Sequence, residues 1–430
     1  MARPDLVVNV RDAQRGVLVL AMVFCAACAV AAEPALDPGA LPQISVPPIG
    51  LHAQDLAVIV NDADPASVET GAYYASRRGI SPERVIHVSF PAGQAVISED
   101  EFLRIEEVLR DKVPAEVQAY ALAWTLPYRV DCMSVTTAFA LGYDRAYCAT
   151  GCQLTKPSPY YNSQSNAPFK DHGLRPAMLL AGKDVAEVKA LIDRGLRSDN
   201  RWPDGTGYLV STSDSKRNVR AETYDRIRRR RVGGYPVERV DANALEDKAD
   251  VMFLFTGSQH VKGIRSNRYL DGAVADHLTS FGGMLTDSPQ TSALEWLSAG
   301  ATGSYGNTTE PCNYRAKFPD IPVVMGRYLG GETLIEAYWK SVLMPGQGVF
   351  VGDPLARPFG GVRYLRKGRQ QQVQTRLLRP GTYLLQAAAS SVGPFRTVGR
   401  LRVSNYASYD LGVPTGAAAF YRVVPAPLTP

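Results

Sequence analysis

Runs of consecutive apolar residues alternate with amphipathic segments along the first part of the chain. The run LAVIV (56–60) is typical of a strand buried on both faces, and Ser67 can cap the helix that follows, up to Gly79. RVIHVSF and AYALAWTL predict two further strands, and the helix between them begins at Ser98, with Glu101 as its capping-box partner. This βαβαβ order predicts a parallel sheet with helices on both faces.

The alternation resumes after residue 171. We expect strands at AMLLA, GYLVSTSD, DVMFLFTG, GMLTD, ATGSYG and GVFVGDP, and helices at DVAEVKALIDRGLRS, residues 222–232, GAVADHLTSFGG, TSALEWLSAG and TLIEAYWKSV. From about residue 361 apolar residues recur with period two around Pro-Gly turns, which predicts a small antiparallel β domain. The predicted fold class is α/β, with a largely parallel sheet and this small β domain at the C-terminus.

These patterns divide the chain. The predicted units are a signal peptide (1–32), a Pro-rich leader (33–54), the first half of an α/β domain (55–249), its second half (250–360) and the β domain (361–430). In residues 130–171 the apolar residues follow neither the helical nor the strand period. This segment holds three cysteines and the stretch KPSPYYNSQSN. A connection of this length is usually functional or fixed in place, here by disulfides.

The N-terminus has the order of a secretory signal peptide. Arg3, Arg11 and Arg15 precede an apolar stretch that ends in Ala29-Val30-Ala31. An uncleaved anchor helix is the alternative, but the apolar run is shorter than the ~20 residues that a membrane span needs. Cys28 allows a lipoprotein site as a second alternative. We expect an exported protein, in the periplasm or at the cell surface, without a stable membrane span after cleavage.

Export changes how the cysteines are interpreted. Cys25 and Cys28 belong to the predicted signal peptide, which leaves an even number for an oxidising compartment. The sequence does not choose among the three pairings that four cysteines allow. The four disulfide candidates are Cys132, Cys148, Cys152 and Cys312.

Charge and motifs exclude several classes of function. The net charge is +5, and the one dense basic run (226–231) fits a solvated helix end, so we expect no nucleic-acid partner. The five histidines lack metal-ligand spacing, and glycine-rich phosphate loops and a GxSxG elbow are missing. We therefore expect neither a metal nor a cofactor.

A Cys–His pair is the remaining catalytic candidate. His260 follows the strand DVMFLFTG, at the carboxyl end where open parallel sheets gather their chemistry, and Cys312 comes 52 residues later. In caspases the histidine precedes the cysteine by ~50 residues. His277, beside Asp276 on a predicted helix, is the other candidate base, and N–H groups near Gly306 would form an oxyanion hole.

The second half resembles a known peptidase family. The strand ending FTG and the motifs GATGSYGNTT, GETLIEAYWKS and VFVGDPLARP resemble the C-terminal half of gingipain-type cysteine peptidases over about residues 250–354. The resemblance implies a caspase-like fold and acyl transfer on a peptide. At the family's histidine position this chain has Ser258, and its nucleophile position falls near Thr286-Asp287-Ser288, so Cys312 with His260 or His277 would be a rebuilt site.

A second resemblance covers nearly the whole chain. LAVIVNDADPASVETGAYYASRRGI, AWTLPYRVDCMSVTTAFA, GYLVSTSDSKRNVRAETY, GATGSYGNTTEPCNYRAKFP and GQGVFVGDPLARPF are similar to an exported bacterial family that occurs with exosortase, the transpeptidase that processes proteins with a Pro-Glu-Pro sorting signal. The resemblance implies surface proteins or polysaccharide of that system as partners. It implies no reaction.

Polar residues at the ends of three predicted strands indicate a cleft. Asp62 and Asp64 follow the first strand, and Arg129 follows the third. After a later strand, SDSKRNVR places Asp214, Arg217 and Asn218. We expect these six residues to converge and bind a ligand, although Asp62 and Asp64 also suit a turn before a helix.

Three functions stay open at this point. The first is a degenerate or non-classical gingipain relative, and the second is a non-catalytic, disulfide-stapled binding or scaffold protein. The third is a polysaccharide hydrolase, which needs two carboxyl groups ~5–9.5 Å apart.

Overall fold

The structure is a computed structural model that describes residues 41–149, 151–367, 370–405, 407–413 and 418–427. The predicted signal peptide, with Cys25 and Cys28, lies outside the described residues. The helices are α1 (Pro65–Arg78), α2 (Glu99–Lys112), α3 (Val135–Leu141), α4 (Pro168–His172), α5 (Val185–Ser198), α6 (Tyr224–Arg230), α7 (Ala293–Ser298), α8 (Ile321–Leu329) and α9 (Leu334–Trp339). Among the described residues, none of these helices combines the length and apolar character that crossing a membrane requires.

The strands belong to one large and three small sheets. They are β1 (Gln43–Ser45), β2 (Leu56–Asn61), β3 (Val85–Val88), β4 (Val96–Ile97), β5 (Ala119–Leu122), β6 (Arg129–Val130), β7 (Met133–Ser134), β8 (Ala177–Leu179), β9 (Thr206–Ser211), β10 (Val237–Asp241), β11 (Val251–Gly257), β12 (Tyr269–Leu278), β13 (Gly303–Asn307), β14 (Gly348–Gly352), β15 (Val362–Lys367), β16 (Gln370–Thr375), β17 (Gly381–Ala388), β18 (Arg396–Val403), β19 (Tyr409–Asp410) and β20 (Phe420–Pro425).

The large sheet has ten strands in the order β10-β9-β11-β12-β13-β14-β8-β5-β2-β3. Every pair is parallel except β13 with β14, in which Gly303 opposite Gly352 and Asn307 opposite Gly348 fix an antiparallel register. One antiparallel contact thus joins two parallel blocks of five strands that run in opposite directions. The prediction of an α/β protein with a largely parallel sheet is confirmed.

Because the two blocks run in opposite directions, the carboxyl ends of the strands lie on both sides of the sheet. We call the side where β2, β5 and β8 end the first rim, and the side where β9, β11, β12 and β13 end the second rim. Two apolar layers cover the faces of the sheet. One contains α1, α6, α8 and α9 side chains such as Tyr74 and Trp339, and the other contains α2 and α3 side chains such as Phe102 and Phe139.

Two of the predicted elements were wrong. The segment GAVADHLTSFGG was predicted as a helix, but its first residues belong to β12, a central strand in register with β11 from Phe253–Val274 to Gly257–Leu278. GMLTD, predicted as a strand, is a turn that precedes α7. At α2, Ser98 accepts from the Glu101 backbone N–H at 3.2 Å as predicted, but the Glu101 carboxylate pairs with Arg104.

The C-terminal residues form small sheets of mainly antiparallel strands, as the period-two pattern predicted. β17 pairs with β18 and β20 in antiparallel register, and β1 from the leader adds a parallel strand beside β20. The sheet β15-β16-β19 is antiparallel. Arg379 ties this part to the connection between α8 and α9, since it donates to the Glu332 carboxylate at 2.8 Å.

Candidate functional site

The predicted binding residues lie at both rims and do not form one cleft. Asp62 and Asp64 follow β2 at the first rim, whereas Asp214, Arg217 and Asn218 follow β9 at the second. The prediction that all six residues converge was wrong, because the antiparallel β13–β14 contact reverses the direction of half of the sheet.

The two aspartates at the first rim have local partners. Asp64 caps α1 by accepting from the Ala66 N–H at 3.0 Å, and an Asp62 oxygen lies 2.6 Å from Nδ1 of His87. The interpretation of Asp64 as a turn and cap residue is therefore confirmed.

The second rim holds the other four predicted residues. Arg217 donates to Asp214 at 3.2 Å and to the Thr279 hydroxyl at 3.2 Å, and the Asn218 amide donates to the Thr212 carbonyl at 2.7 Å. Arg129 reaches this rim because the chain doubles back after β5, and its Nη1 lies 3.4 Å from the Thr308 carbonyl. These contacts stabilise the turn after β9 and the segment after β13.

Two disulfides connect the long loop to this rim. Cys132 is bonded to Cys148, and Cys152 is bonded to Cys312 across 160 residues of sequence. Both bonds involve the 130–171 segment, which is therefore fixed by disulfides as predicted. Cys312 lies just beyond β13, so the longer link joins the loop to the second rim.

The disulfide removes the proposed nucleophile. A thiolate attacks a carbonyl carbon only when its sulfur is free, and the Cys312 sulfur is bonded to Cys152. The disulfide candidate is thus confirmed for Cys312, and its assignment as a nucleophile is wrong for this bonded state.

His277 is enclosed within the sheet. It is 1% exposed, its ring lies on the face covered by α7, and its Nδ1 accepts from the Trp296 indole at 3.0 Å. Burial, followed by the nearby Arg220 charge, lowers the pKa of His277 to about 3. A neutral imidazole whose Nδ1 is already occupied cannot accept a proton at neutral pH, so the ring has a packing role here.

Asp276 does not orient His277, because neighbouring residues of a strand face opposite sides of the sheet. The Asp276 carboxylate instead lies 2.8 Å from the Arg220 guanidinium, and the two side chains are 1% and 4% exposed. Burial raises the pKa of Asp276, and the Arg220 charge opposes the shift. The pair is a buried ion pair between β12 and the 3-10 helix Asn218–Thr223.

His260 is exposed to solvent, whereas Gly306 is buried in the sheet. His260 lies in an exposed bend after β11, as predicted. Gly306 is buried within β13, opposite Val349 of β14, and a Cβ there would lie 2.3 Å from the Gly282 backbone. The predicted oxyanion hole near Gly306 was wrong, because this backbone is covered by the neighbouring strand and by the turn after β12.

A cavity of about 320 Å³ opens beside the second rim. The long loop contributes Tyr161, the segment after Cys312 contributes Arg315 and Phe318, and Arg220 and Arg226 form another wall. The remaining lining residues are Thr223, Ala316, Pro319, Asp320, Ile321, Pro322, Ser341 and Leu343. Both segments joined by the Cys152–Cys312 bond therefore contribute walls of one cavity.

The arginines of this cavity differ in their partners. Arg220 pairs with Asp276 and donates to the Thr256 carbonyl at 2.7 Å, while its Nε and Nη1 have no hydrogen-bond partner among the described residues. Arg315 pairs with Glu222 at the surface. Arg226 is exposed and lacks a side-chain partner among the described residues. The cavity thus offers guanidinium N–H groups to an anion.

The sequence does not predict this cavity. Arg226 belongs to a run that fits a basic helix end, and no motif distinguishes Arg220. No local pattern distinguishes a buried arginine from an exposed one. The alternation of charged and polar residues in SKRNVRAETY, directly after a buried strand, was the one available signal.

A second cavity, of about 450 Å³, lies at the first rim. Its polar side chains are engaged by neighbouring groups: Asp184 caps α5, Thr125 donates to the Gly182 carbonyl at 2.9 Å, and Lys183 donates to Glu295 at 2.5 Å. It offers a ligand fewer free polar groups than the cavity at the second rim.

The described residues contain no group of three or more His, Cys, Asp or Glu that could hold a metal ion. No family model, curated protein or solved structure matches this chain. The likeness to the gingipain and exosortase-associated families therefore rests on the motifs alone.

Proposed function

We propose that this protein is a non-catalytic, disulfide-stapled binding protein at the cell surface, working beside an exosortase-type system. The observation that carries this proposal is the Cys152–Cys312 bond, which occupies the one candidate nucleophile and shapes the cavity at the second rim. The two disulfides and the N-terminal signal pattern support export, since such bonds persist in oxidising compartments.

The proposal includes a caspase-like second half that has lost its chemistry. Three consecutive parallel strands, β11, β12 and β13, followed by the reversed β14, support that likeness. Ser258 stands at the histidine position implied by the gingipain resemblance, and the buried His277 cannot replace the missing base. A degenerate relative that binds peptide segments without cleaving them accounts for these features together.

The ligand in this proposal is an acidic segment of a partner protein. The guanidinium groups of Arg220, Arg226 and Arg315 attract a carboxylate, and Tyr161 and Phe318 provide apolar walls beside it. A glutamate flanked by prolines, as in the sorting signal that the resemblance implies, has this combination of charge and apolar surface.

A peptide pair tests the binding role. Titration calorimetry compares a peptide containing Pro-Glu-Pro with one containing Pro-Gln-Pro, which differs only in charge. We expect the glutamate peptide to bind about tenfold more tightly, because a hydrogen bond to a charged group is worth about 1.5–3 kcal/mol.

Two arginine variants supply the control. Arg226→Gln should abolish most of this preference, whereas Arg230→Gln, on the same helix but outside the cavity lining, should leave it unchanged. Equal binding of the two peptides, or a preference that survives Arg226→Gln, would rule out the cavity as the site.

A further inference from the structure

Positive charge is concentrated at the C-terminal end of the chain. Residues 361–430 contain ten Lys and Arg and a single acid, Asp410, a net charge of +9. The whole chain carries +5, so residues 1–360 carry −4. Such asymmetry between two parts of a chain marks the basic part as a binding surface for an anionic partner.

The described arginines of this part fall into two groups. The first group faces the large sheet: Arg363 pairs with Asp204, Arg376 donates to the Gly233 carbonyl at 2.7 Å, and Arg379 donates to Glu332 at 2.8 Å. These three contacts attach the C-terminal strands to the rest of the protein. They therefore account for three of the ten positively charged side chains in residues 361–430.

The second group faces solvent. Arg396, Arg400 and Arg402 lie on β18, the edge strand of the sheet β1-β20-β17-β18. All three are exposed, and none has a side-chain hydrogen bond or ion pair with the described residues. No carboxylate of the described chain neutralises them.

A fourth arginine extends this surface across the sheet. Arg402 lies opposite Thr382, Arg400 opposite Leu384, and Gln386 lies between Thr397 and Arg422 in a continuous row. Directly opposed residues of antiparallel strands point to the same face, so Arg400, Arg402 and Arg422 share the outer face. The inner face carries the buried Tyr383, Leu385, Val403, Tyr421 and Val423.

Hydrogen bonds hold the polar row of this face in place. Arg422 donates to Gln386 at 2.7 Å, Gln386 donates to Thr397 at 3.3 Å, and the Arg422 guanidinium lies 4.2 Å from the Phe395 ring centroid. Arg400 and Arg402 are two residues apart, so their Cα atoms are about 7 Å apart along the strand. We call the face formed by Thr382, Gln386, Thr397, Arg400, Arg402 and Arg422 the arginine face. Arg396, at the start of β18, lies opposite Ala387 and does not belong to this face.

We propose that the arginine face binds an acidic polysaccharide. Guanidinium forks recognise carboxylate or sulfate groups repeated along a polymer, and the hydroxyl and amide groups between them bind sugar hydroxyls. A membrane surface fits less well, because stable insertion needs a continuous apolar face. The apolar side chains near these arginines are scattered: Leu384 and Val424 are half-buried, and Val392 and Val398 are exposed singly in the β17–β18 turn and on the edge strand.

This inference rests on the proposed function in one respect, since only an exported chain meets a polymer outside the cell. It does not depend on the cavity or on Cys312. The test uses the mature full-length protein and polygalacturonate as the probe, by titration calorimetry. We expect binding that weakens several-fold as ionic strength rises from about 50 mM to about 300 mM, because exposed charges are screened.

The decisive variant is the triple substitution Arg400→Gln, Arg402→Gln and Arg422→Gln. Its control, Arg228→Gln, Arg229→Gln and Arg230→Gln, removes the same charge from exposed positions of α6. We expect the first variant to weaken polygalacturonate binding at least about tenfold and the control to change it by less than about twofold, because three charge-assisted contacts are lost in the first case only. Arg422→Gln alone should weaken binding without affecting the edge strand.

Four outcomes would overturn the proposal. They are a lack of polygalacturonate binding at low salt, equal losses in both triple variants, preferential binding to phosphatidylglycerol vesicles, and self-association of the first triple variant with polymer binding intact. The last outcome would show that the arginines only protect an edge strand from pairing. The urea midpoint of each variant shows that loss of binding is not loss of folding.

Discussion

Cys152 and Cys312 are bonded to each other, with their Cα atoms 5.4 Å apart and 160 residues of chain between them. One partner lies in the long loop between α3 and β8, and the other follows β13 at the second rim. The bond therefore closes a chain segment that includes six strands of the large sheet, β8 to β13. It joins the long loop to the second rim beside the cavity of about 320 Å³.

Removal of this disulfide should lower stability substantially. For the double variant Cys152→Ser and Cys312→Ser we expect the free energy of unfolding to fall by about 2–5 kcal/mol, because closing a long loop restricts the unfolded chain. The Cys132–Cys148 bond spans only 16 residues of sequence. The double variant Cys132→Ser and Cys148→Ser should therefore lower the free energy of unfolding by less in the same urea titration. A smaller loss for the longer loop would contradict this ranking.

The buried pair of Arg220 and Asp276 gives a second prediction. Arg220→Met leaves a buried carboxylate without its partner and should lower the free energy of unfolding by about 3–5 kcal/mol. Adding Asp276→Leu should recover part of that loss, which a double-mutant cycle in urea measures. Arg228→Gln, which breaks an exposed pair with Asp225, should cost at most about 1 kcal/mol. Additive losses would show that the two buried groups do not interact.

His277 makes stability depend on pH. Its pKa is lowered to about 3 in the folded protein, against 6.5 for an ordinary histidine. Below pH 6.5 the unfolded chain takes up a proton that the folded protein refuses, so stability falls as the pH decreases from 6.5 towards 3. Between pH 7 and pH 5 this amounts to about 2 kcal/mol.

Urea titrations at both pH values measure this loss in the parent protein and in two variants. His277→Gln should remove about 2 kcal/mol of the pH-dependent difference, whatever its effect on absolute stability. His260→Gln, which changes an exposed histidine in the bend after β11, is the control and should keep that difference. An unchanged difference in His277→Gln would show that another group causes the pH dependence.

The sequence predicted the strands and helices best where apolar runs are short and well separated. The strands β2, β5, β9, β11 and β13 and the helices α1, α2 and α5 follow their patterns. β12 was missed because consecutive polar residues, Asp276 and His277, interrupt its apolar run. Their partners Arg220 and Trp296 come from other elements, so the sequence does not show that they are buried.

The candidate site was less predictable for a topological reason. An apolar strand buried on both faces has the same pattern whichever way it runs, so the reversal at β14 left no signal in the sequence. The predicted cleft therefore combined residues from opposite rims. The disulfide pairing was likewise open, because four cysteines allow three pairings.

Glu332 gives a further stability prediction. Its carboxylate accepts from Lys340 at 2.9 Å and from Arg379 at 2.8 Å, and both Glu332 and Lys340 are essentially inaccessible to solvent. Glu332→Gln should lower the free energy of unfolding by about 3–5 kcal/mol, because the buried Lys340 loses its closest carboxylate. Glu238→Gln, at an exposed strand position, is the matched control and should cost less than about 0.5 kcal/mol in urea unfolding.

The central claim is that Cys312 is a structural cysteine and not a nucleophile. Iodoacetamide treatment of the mature, oxidatively expressed protein, followed by peptide mass spectrometry before and after reduction, tests it most directly. We predict that all four cysteines resist alkylation before reduction and that a linked peptide pair contains Cys152 and Cys312. Rapid alkylation of Cys312 alone at neutral pH would contradict the account and restore the cysteine-peptidase hypothesis.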